Sequence, residues 1–69
     1  MNLNDSDLSR SEIEHIIDEY IFNETDRAIL KRRLLDGIDY ETLAEEFYLS
    51  THRVKTRVYK AEEKLIKHL

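Results

Sequence analysis

Hydrophobic residues recur every three or four positions along most of this chain, and that spacing is typical of the buried face of an α-helix. In the first such stretch, apolar side chains concentrate between residues 13 and 21. Ser9 and Glu12 precede it at the spacing of a helix-capping box. These signals predict a first helix over about residues 10–22. Residues 1–8, which contain few apolar side chains, are predicted to form a flexible N-terminal arm.

Two shorter helical segments follow. A second helix is predicted to start after Asn23 or Thr25, both of which can cap a helix, and to run through Leu35, with Asp36-Gly37 closing it. Glycine is common just past a helix because it adopts the left-handed backbone conformation without steric cost. Asp39 then caps a short third helix. The inner face expected for this third helix consists of Tyr40, Leu43, Ala44 and Phe47.

Ser50 is the predicted cap of a fourth helix that runs from Thr51 to about residue 68. Its apolar positions are spaced by four, three and four residues and form one narrow stripe at Val54, Val58, Ala61 and Leu65. The opposite face is polar and consists of His52, Thr56, Tyr59, Lys60, Glu63 and Lys67, with Lys55 at its edge. No stretch indicates a β-strand. The expected fold is therefore all-α, a small four-helix domain over residues 9–69.

Composition excludes several classes of function. One glycine and no cysteine among 69 residues exclude a glycine-rich nucleotide-binding fold, disulfides and zinc sites with thiolate ligands. His15, His52 and His68 lack the spacing of metal ligands, and no nucleophile and base are paired by their spacing. We therefore expect no metal, no cofactor and no enzymatic activity. No apolar run approaches the roughly 20 residues that span a bilayer, and the acidic, polar N-terminus is unlike a secretion signal. A cytoplasmic protein without a membrane partner is expected.

The formal net charge of −4 conceals a gradient along the chain. Residues 1–24 contain seven acidic side chains and one basic side chain, whereas residues 47–69 contain six basic and two acidic side chains. Such segregation polarises the electrostatic field of a small domain. A polyanion is therefore expected to bind at the basic third of the chain, with the acidic third facing away from it.

Residues 39–65 combine a short helix, a turn of about four residues and a longer basic helix, which together are typical of a helix-turn-helix. Ala44 supplies a small side chain where the two helices cross, and Leu49 supplies an apolar anchor in the turn. Lys and Arg neutralise phosphates or bind guanine edges, and Thr and His hydrogen-bond bases. The pattern predicts that the N-terminal part of the fourth helix enters the major groove of DNA.

The segment LLDGIDYETLAEEFYLSTHRVKTRVYKAEEKL, residues 34–65, resembles region four of bacterial sigma factors. It is most similar to the extracytoplasmic-function type and more distantly similar to LuxR-type response-regulator domains. The matching features are the break at Gly37, Tyr40-Glu41, Leu43-Ala44-Glu45, Leu49, the run from Val54 to Val58, Lys60-Ala61 and Lys64-Leu65. The stretch DRAIL, residues 26–30, resembles the helix that precedes the motif in that family, and the likeness covers about residues 24–66.

This resemblance implies a domain that binds promoter DNA, in sigma factors the −35 element, and that contacts the flap of the RNA polymerase β subunit. The chain shows no region two, the part of a sigma factor that melts the −10 element. The resemblance therefore implies a stand-alone transcription regulator of the kind found in phages and mobile elements. Tyr48 departs from the family pattern, in which this turn position is commonly glycine.

Carried over by position, the resemblance also implies which residues contact DNA. The residues expected at the helix entrance, on the DNA backbone, are Thr51, His52 and Arg53. The residues expected to reach base edges or nearby phosphates are Lys55, Thr56, Tyr59 and Lys60. Arg57 completes the set of candidate DNA contacts, and an ion pair with an acidic residue of the second or third helix is the alternative for it. Arg32 and Arg33 fit a solvated surface better than phosphate contacts.

Four of the aromatic residues are expected to pack and not to take part directly in function. The four expected in the core or half-buried are Tyr20, Phe22, Phe47 and Tyr48. The first helix bears a wider apolar stripe than one small partner helix requires. We favour a core role for it, and contact with a second copy or with RNA polymerase is the alternative.

The predicted function is a sequence-specific DNA-binding transcription regulator. The alternative is a protein-interaction module with little DNA contact, and the net charge of −4 is its best support. The candidate partners are double-stranded DNA, RNA polymerase and, in a homodimer, a second copy of the chain.

Overall fold

The computed structural model describes residues 8–68, and all regular secondary structure within that range is α-helical. The elements are α1 (Arg10–Tyr20), α2 (Glu24–Leu34), α3 (Tyr40–Phe47) and α4 (Thr51–Ile66). The predicted all-α fold of four helices is thereby confirmed, although α1 and α4 each end two residues earlier than expected. Within the described range, none of the four helices combines the length and the apolar character that crossing a membrane requires.

The predicted N-terminal arm, residues 1–8, falls almost entirely outside the described residues, which begin at its last residue. Leu8 itself is partly buried and packs against the hydrophobic core. The described domain therefore starts with an apolar contact just ahead of the cap of α1.

Side-chain caps define where each helix starts. Ser9, Asn23, Asp39 and Ser50 each accept a hydrogen bond from the backbone N–H three residues further on, at 3.1–3.2 Å. Hydrogen bonds from Thr42 also lower the pKa of the Asp39 carboxyl below its usual range. Each such cap stabilises a helix by about 1 kcal/mol.

One hydrophobic core receives side chains from all four helices. α2 and α4 each pack against all three other helices. The predicted apolar stripe of α4 faces this shared core. The stripe is buried along its whole length, with Val54 and Val58 completely inaccessible to solvent. α1 contributes Ile13 and Ile17, and Ile21 follows in the chain that leaves the helix. The inner faces predicted from residue spacing are therefore the faces that pack.

Two aromatic side chains expected in the core lie in solvent instead. Phe22 is 92% exposed and Tyr48 is 95% exposed. The backbone is extended at Ile21, because α1 has already ended at Tyr20. Successive side chains of an extended chain point to opposite sides, so Ile21 is buried and Phe22 is not. Phe47, by contrast, is partly buried against the core as expected.

Candidate nucleic-acid interface

A three-residue turn joins α3 to α4 and sets the angle between them. Tyr48 adopts the left-handed backbone conformation, with φ 55° and ψ 42°. The backbone N–H of Leu49 donates to the carbonyl of Ala44 at 2.9 Å, and the Leu49 side chain packs against the core. Ser50 then caps α4. The turn therefore holds the first residues of α4 beside α3, an arrangement compatible with a helix-turn-helix.

The outer surface of α4 carries the eight residues predicted to contact DNA. Those that are exposed are His52, Arg53, Lys55, Tyr59 and Lys60, and those that are partly buried are Thr51, Thr56 and Arg57. Five of the eight line one shallow concavity of about 390 Å³, namely His52, Arg53, Thr56, Arg57 and Lys60. We call this concavity the α4 groove. It lies on the N-terminal half of the helix, where a helix-turn-helix protein contacts bases.

Thr51 and Lys55 lie on another flank of α4, next to the start of α3. Together with Asp39, Tyr40 and Glu41 they line a second concavity of about 300 Å³. The structure therefore separates the candidate residues into two groups. The α4 groove carries cations and hydrogen-bonding groups, whereas the second concavity also contains two carboxylates, which disfavour a phosphate.

Tyr40 organises the flank of α4 that faces α3. The guanidinium of Arg33 lies 4.4 Å from the centre of the Tyr40 ring, and the ammonium of Lys55 lies 5.7 Å from it. Tyr59 meets the same ring edge-on, with 6.3 Å between the ring centres. Burial raises the pKa of the Tyr40 hydroxyl, and the nearby Arg33 partly offsets that increase. Contacts with the Tyr40 ring therefore orient Lys55 and Tyr59. From the sequence, Tyr40 was expected only on the inner face of α3.

Arg57 is engaged within the fold. Its Nη1 atom donates to Oδ1 of Asp26 in α2 at 3.0 Å, and both side chains are about one-third exposed or less. The structure thereby realises the ion pair that was the alternative for this residue. Arg57 still borders the α4 groove, but its charge is largely compensated there.

Arg32 and Arg33 were expected to be solvated, but both side chains make contacts within the fold. Arg32 forms a two-point interaction with Glu46 of α3, with distances of 3.1 Å from Nε and 2.5 Å from Nη2. Arg33 donates to the carbonyl of Ile38 at 3.1 Å and stacks on Tyr40. Both guanidinium groups therefore connect α2 to α3 or to the segment before it.

The basic residues fall into two groups according to their contacts. Every basic side chain of α1 and α2 interacts with a carboxylate, a carbonyl or an aromatic ring, namely Arg10, Arg27, Lys31, Arg32 and Arg33. In α4, by contrast, Arg53, Lys60 and Lys64 have no hydrogen-bond acceptor among residues 8–68. The uncompensated positive charge of the described domain is therefore concentrated on α4.

The first helix of the candidate helix-turn-helix is acidic. All the charged residues of α3 are glutamates, and all three are exposed. Glu46 is paired with Arg32, whereas Glu41 and Glu45 have no ion-pair partner among residues 8–68. α1 has four acidic residues and one basic residue. The two unpaired glutamates of α3 repel phosphate, so any polyanion that binds here is expected to contact α4 and not the outer face of α3.

The two glutamates of α4 lie in its C-terminal half. Glu63 is exposed, whereas Glu62 is partly buried. Burial raises the pKa of the Glu62 carboxyl, and the positive charge of Arg33 lowers it by a smaller amount. Neither glutamate lines the α4 groove.

The three histidines contact different parts of the fold. His15 lies 3.1 Å from Glu19, and the ring of His68 stacks on Tyr20 with 4.0 Å between the centres. His52 borders the α4 groove. Within residues 8–68 no three side chains of the kinds that bind metals come together.

Comparison of the chain with protein-family models, with curated protein sequences and with solved structures gave no significant match. The interpretation of the site therefore depends on the chemistry and geometry of its own residues.

Proposed function

We propose that this protein binds double-stranded DNA sequence-specifically and regulates transcription, with α4 as the recognition helix in the major groove. One observation carries the proposal. The basic side chains of α1 and α2 are all engaged in the fold, whereas Arg53 and Lys60 of the α4 groove have no acceptor among the described residues. Cations without an intramolecular partner are available to a phosphate or a base edge.

The shape of the turn supports the same orientation. The Ser50 cap and the Leu49 anchor hold the first turn of α4 beside α3, so that the α4 groove faces outward. Glu41 and Glu45 are exposed on α3. The protein therefore inserts the N-terminal half of α4 while the acidic surface of α3 points away from the DNA backbone.

The resemblance to region four of sigma factors adds RNA polymerase as a candidate partner, and a second copy of the chain is another. A single helix in one groove makes few contacts, and each additional subunit would increase the affinity. These partners are part of the proposal and are separable from DNA binding by experiment.

The proposal predicts that charge reversal on the outer surface of α4 abolishes DNA binding. A duplex selected from a randomised library should bind the wild-type protein, and Lys55→Glu with Lys60→Glu should remove measurable binding. Fluorescence anisotropy over about 50–200 mM salt measures the affinity, and the log–log slope should be about −0.9 for each phosphate neutralised.

A matched variant controls for the change in net charge. Lys64→Glu with Lys67→Glu changes the charge equally but affects only the C-terminal end of α4 and the residue after it. It should weaken binding modestly and keep the sequence preference. Circular dichroism checks that both variants remain helical. Unchanged affinity in the Lys55 and Lys60 variant would contradict the assignment of α4 as the recognition helix.

A protein-interaction module is the second candidate function. The observation that favours it is the almost complete exposure of Phe22, which lines a groove of about 250 Å³ between α4 and the segment after α1. Apolar and charged side chains both line this groove. Exposed apolar side chains beside a groove are common in protein contacts. If the wild-type protein retains no duplex at low salt, this candidate replaces the first.

A further inference from the structure

Six arginines occur in the chain, and five of them have their guanidinium groups engaged within the fold. The five are Arg10, Arg27, Arg32, Arg33 and Arg57. The remaining one, Arg53, donates no side-chain hydrogen bond to any acceptor among residues 8–68. Its backbone N–H is engaged by the Ser50 cap, so only the side chain is free. Arg53 is thus the one guanidinium of the described domain that is available to a ligand.

The position of Arg53 suits a specific contact. It lies in the first turn of α4, is exposed and borders the α4 groove together with His52 and Thr56. The hydroxyl of Thr56 donates to the carbonyl of His52 at 3.0 Å, which uses its only proton. Thr56 can therefore only accept hydrogen bonds or contact a thymine methyl. Arg53 is the side chain of this group that can donate two parallel hydrogen bonds.

Two parallel donors match one base edge in particular. Guanine presents O6 and N7 as adjacent acceptors in the major groove, and arginine binds them in a two-point contact. Lysine acts as a point charge, which suits Lys60 of the α4 groove to phosphates. Lys55 leans over the Tyr40 ring, on the other flank of α4.

We propose that Arg53 reads a guanine in the major groove and determines the sequence specificity of this protein, a role that rests on the proposed DNA-binding function. The resemblance to sigma factors implied a backbone contact for this residue, and the geometry of the α4 groove favours the base instead. Lys60 then contributes affinity without selecting the sequence.

The test pairs protein variants with altered guanines. A duplex selected by the wild-type protein is resynthesised with 7-deazaguanine, which lacks N7, at each guanine in turn. One such replacement removes one of the two acceptors, so its effect on wild-type binding should be a measurable part of the about 5- to 150-fold effect of a whole two-point contact. Arg53→Ala should show at least as large a loss on the unmodified duplex and no further loss from that replacement. Arg53→Lys should keep general DNA affinity while losing the discrimination.

Two controls distinguish recognition of the guanine by Arg53 from a general effect of positive charge on binding. Inosine at the same position removes only the minor-groove amino group and should leave wild-type binding unchanged. Lys60→Ala removes a neighbouring cation and should weaken binding to all duplexes by the same factor. Arg53 has no partner within the described residues, so Arg53→Ala should keep the helical circular dichroism spectrum and thermal midpoint of the wild type.

The outcomes are distinguishable. If Arg53→Ala weakens binding to every duplex equally and stays sensitive to 7-deazaguanine, Arg53 contacts a phosphate. DNA binding would then stand while the inference is overturned. If the wild-type protein itself binds no duplex at low salt, the proposed function fails and the role of Arg53 fails with it.

Discussion

At the scale of single residues, Gly37 and Tyr48 adopt left-handed backbone conformations, with φ of 68° and 55°. Glycine tolerates this conformation, but a residue with a Cβ atom is destabilised in it by roughly 1–2 kcal/mol. The Tyr48 side chain is almost fully exposed and so recovers little of that energy through burial. The turn before α4 keeps its shape because Leu49 and Ser50 anchor the residues that follow.

Tyr48→Gly is expected to stabilise the domain. Relief of the left-handed strain outweighs the extra freedom that glycine brings to the unfolded chain, so the free energy of unfolding should rise by about 0.5–1 kcal/mol. Urea denaturation followed by circular dichroism measures the change.

Two further variants test whether the left-handed backbone conformation is the cause of the change in stability. Tyr48→Ala retains a Cβ atom and should bring no gain. Gly37→Ala should destabilise by about 1 kcal/mol through the backbone alone, since a Cβ there meets nothing within 4 Å. An equal gain for Tyr48→Ala and Tyr48→Gly would show that loss of the exposed ring, and not the backbone conformation, is responsible.

Glu62 gives the stability of the domain a particular pH dependence. Burial raises the pKa of its carboxyl in the folded state, so folding favours the protonated form. A raised pKa contributes stability that is fully present below the unfolded-state value and is lost as the pH rises through the folded-state value. At neutral pH the ionised Glu62 therefore destabilises the fold.

Glu62→Gln imitates the protonated form, and we expect it to raise the thermal midpoint at pH 7 but not at about pH 3, where glutamate is already protonated. Thermal melts at both pH values test this difference. Glu63→Gln removes the same charge from an exposed neighbour and should not reproduce the pattern. A gain of equal size at both pH values would argue against the pKa as the cause.

At the scale of elements, α2 is connected by an ion pair to each of the other three helices. Lys31 lies 2.7 Å from Asp18 of α1, Arg32 pairs with Glu46 of α3, and Asp26 accepts from Arg57 of α4. These pairs differ in burial. The Asp26 side chain is 27% exposed, whereas the Asp18 side chain is 51% exposed.

Because the two pairs differ in burial, replacing aspartate with asparagine should lower the free energy of unfolding by different amounts. Asp26→Asn should lower the free energy of unfolding by about 1 kcal/mol, because a partly buried guanidinium loses its charged acceptor. Asp18→Asn should cost much less, since solvent screens that pair. Denaturant titrations of the two variants measure the contrast.

A third variant controls for position in the helix. Asp26 lies in the first turn of α2, where a negative charge also interacts with the helix dipole. Glu24→Gln removes a negative charge from the same turn, and its small expected effect isolates the dipole contribution. Equal losses in the Asp18 and Asp26 variants would mean that burial does not govern these pairs.

The helices themselves were predictable because their signals are local. The caps and the stripe from Val54 to Leu65 depend on residues within a few positions of one another. The caps Ser9, Asp39 and Ser50 and the stripe are observed as predicted, and of the two candidates for the cap of α2 the structure uses Asn23 and not Thr25. The partners of Arg32 and Arg57 were not predictable individually, because they depend on how α2 is rotated against α3 and α4. The position of Phe22 was missed because α1 ends two residues early, which reverses the direction of that side chain.

At the scale of the whole molecule, the candidate site was predictable in outline. Helical spacing placed the exposed residues of α4 on its outer face, but it gave no information about which cations are already engaged. That information depends on the packing of α2 against α4. Arg57 is paired with Asp26 of α2, whereas the Arg53 side chain has no such partner among the described residues. The contact between Arg33 and the Tyr40 ring was not predictable from the sequence for the same reason, because it depends on how α2 and α3 pack.

The segregation of charge among the helices has a consequence for how the molecule behaves in solution. α1 and α3 each carry a net charge of −3, whereas α4 carries +3. At about 0.15 M salt the Debye length is roughly 8 Å, and the longest dimension of the molecule is 30 Å. A charged surface nearby therefore interacts with one face and is screened from the others. Despite an isoelectric point of about 5.3, this protein presents a cationic surface to whatever approaches α4 and an anionic one to whatever approaches α1.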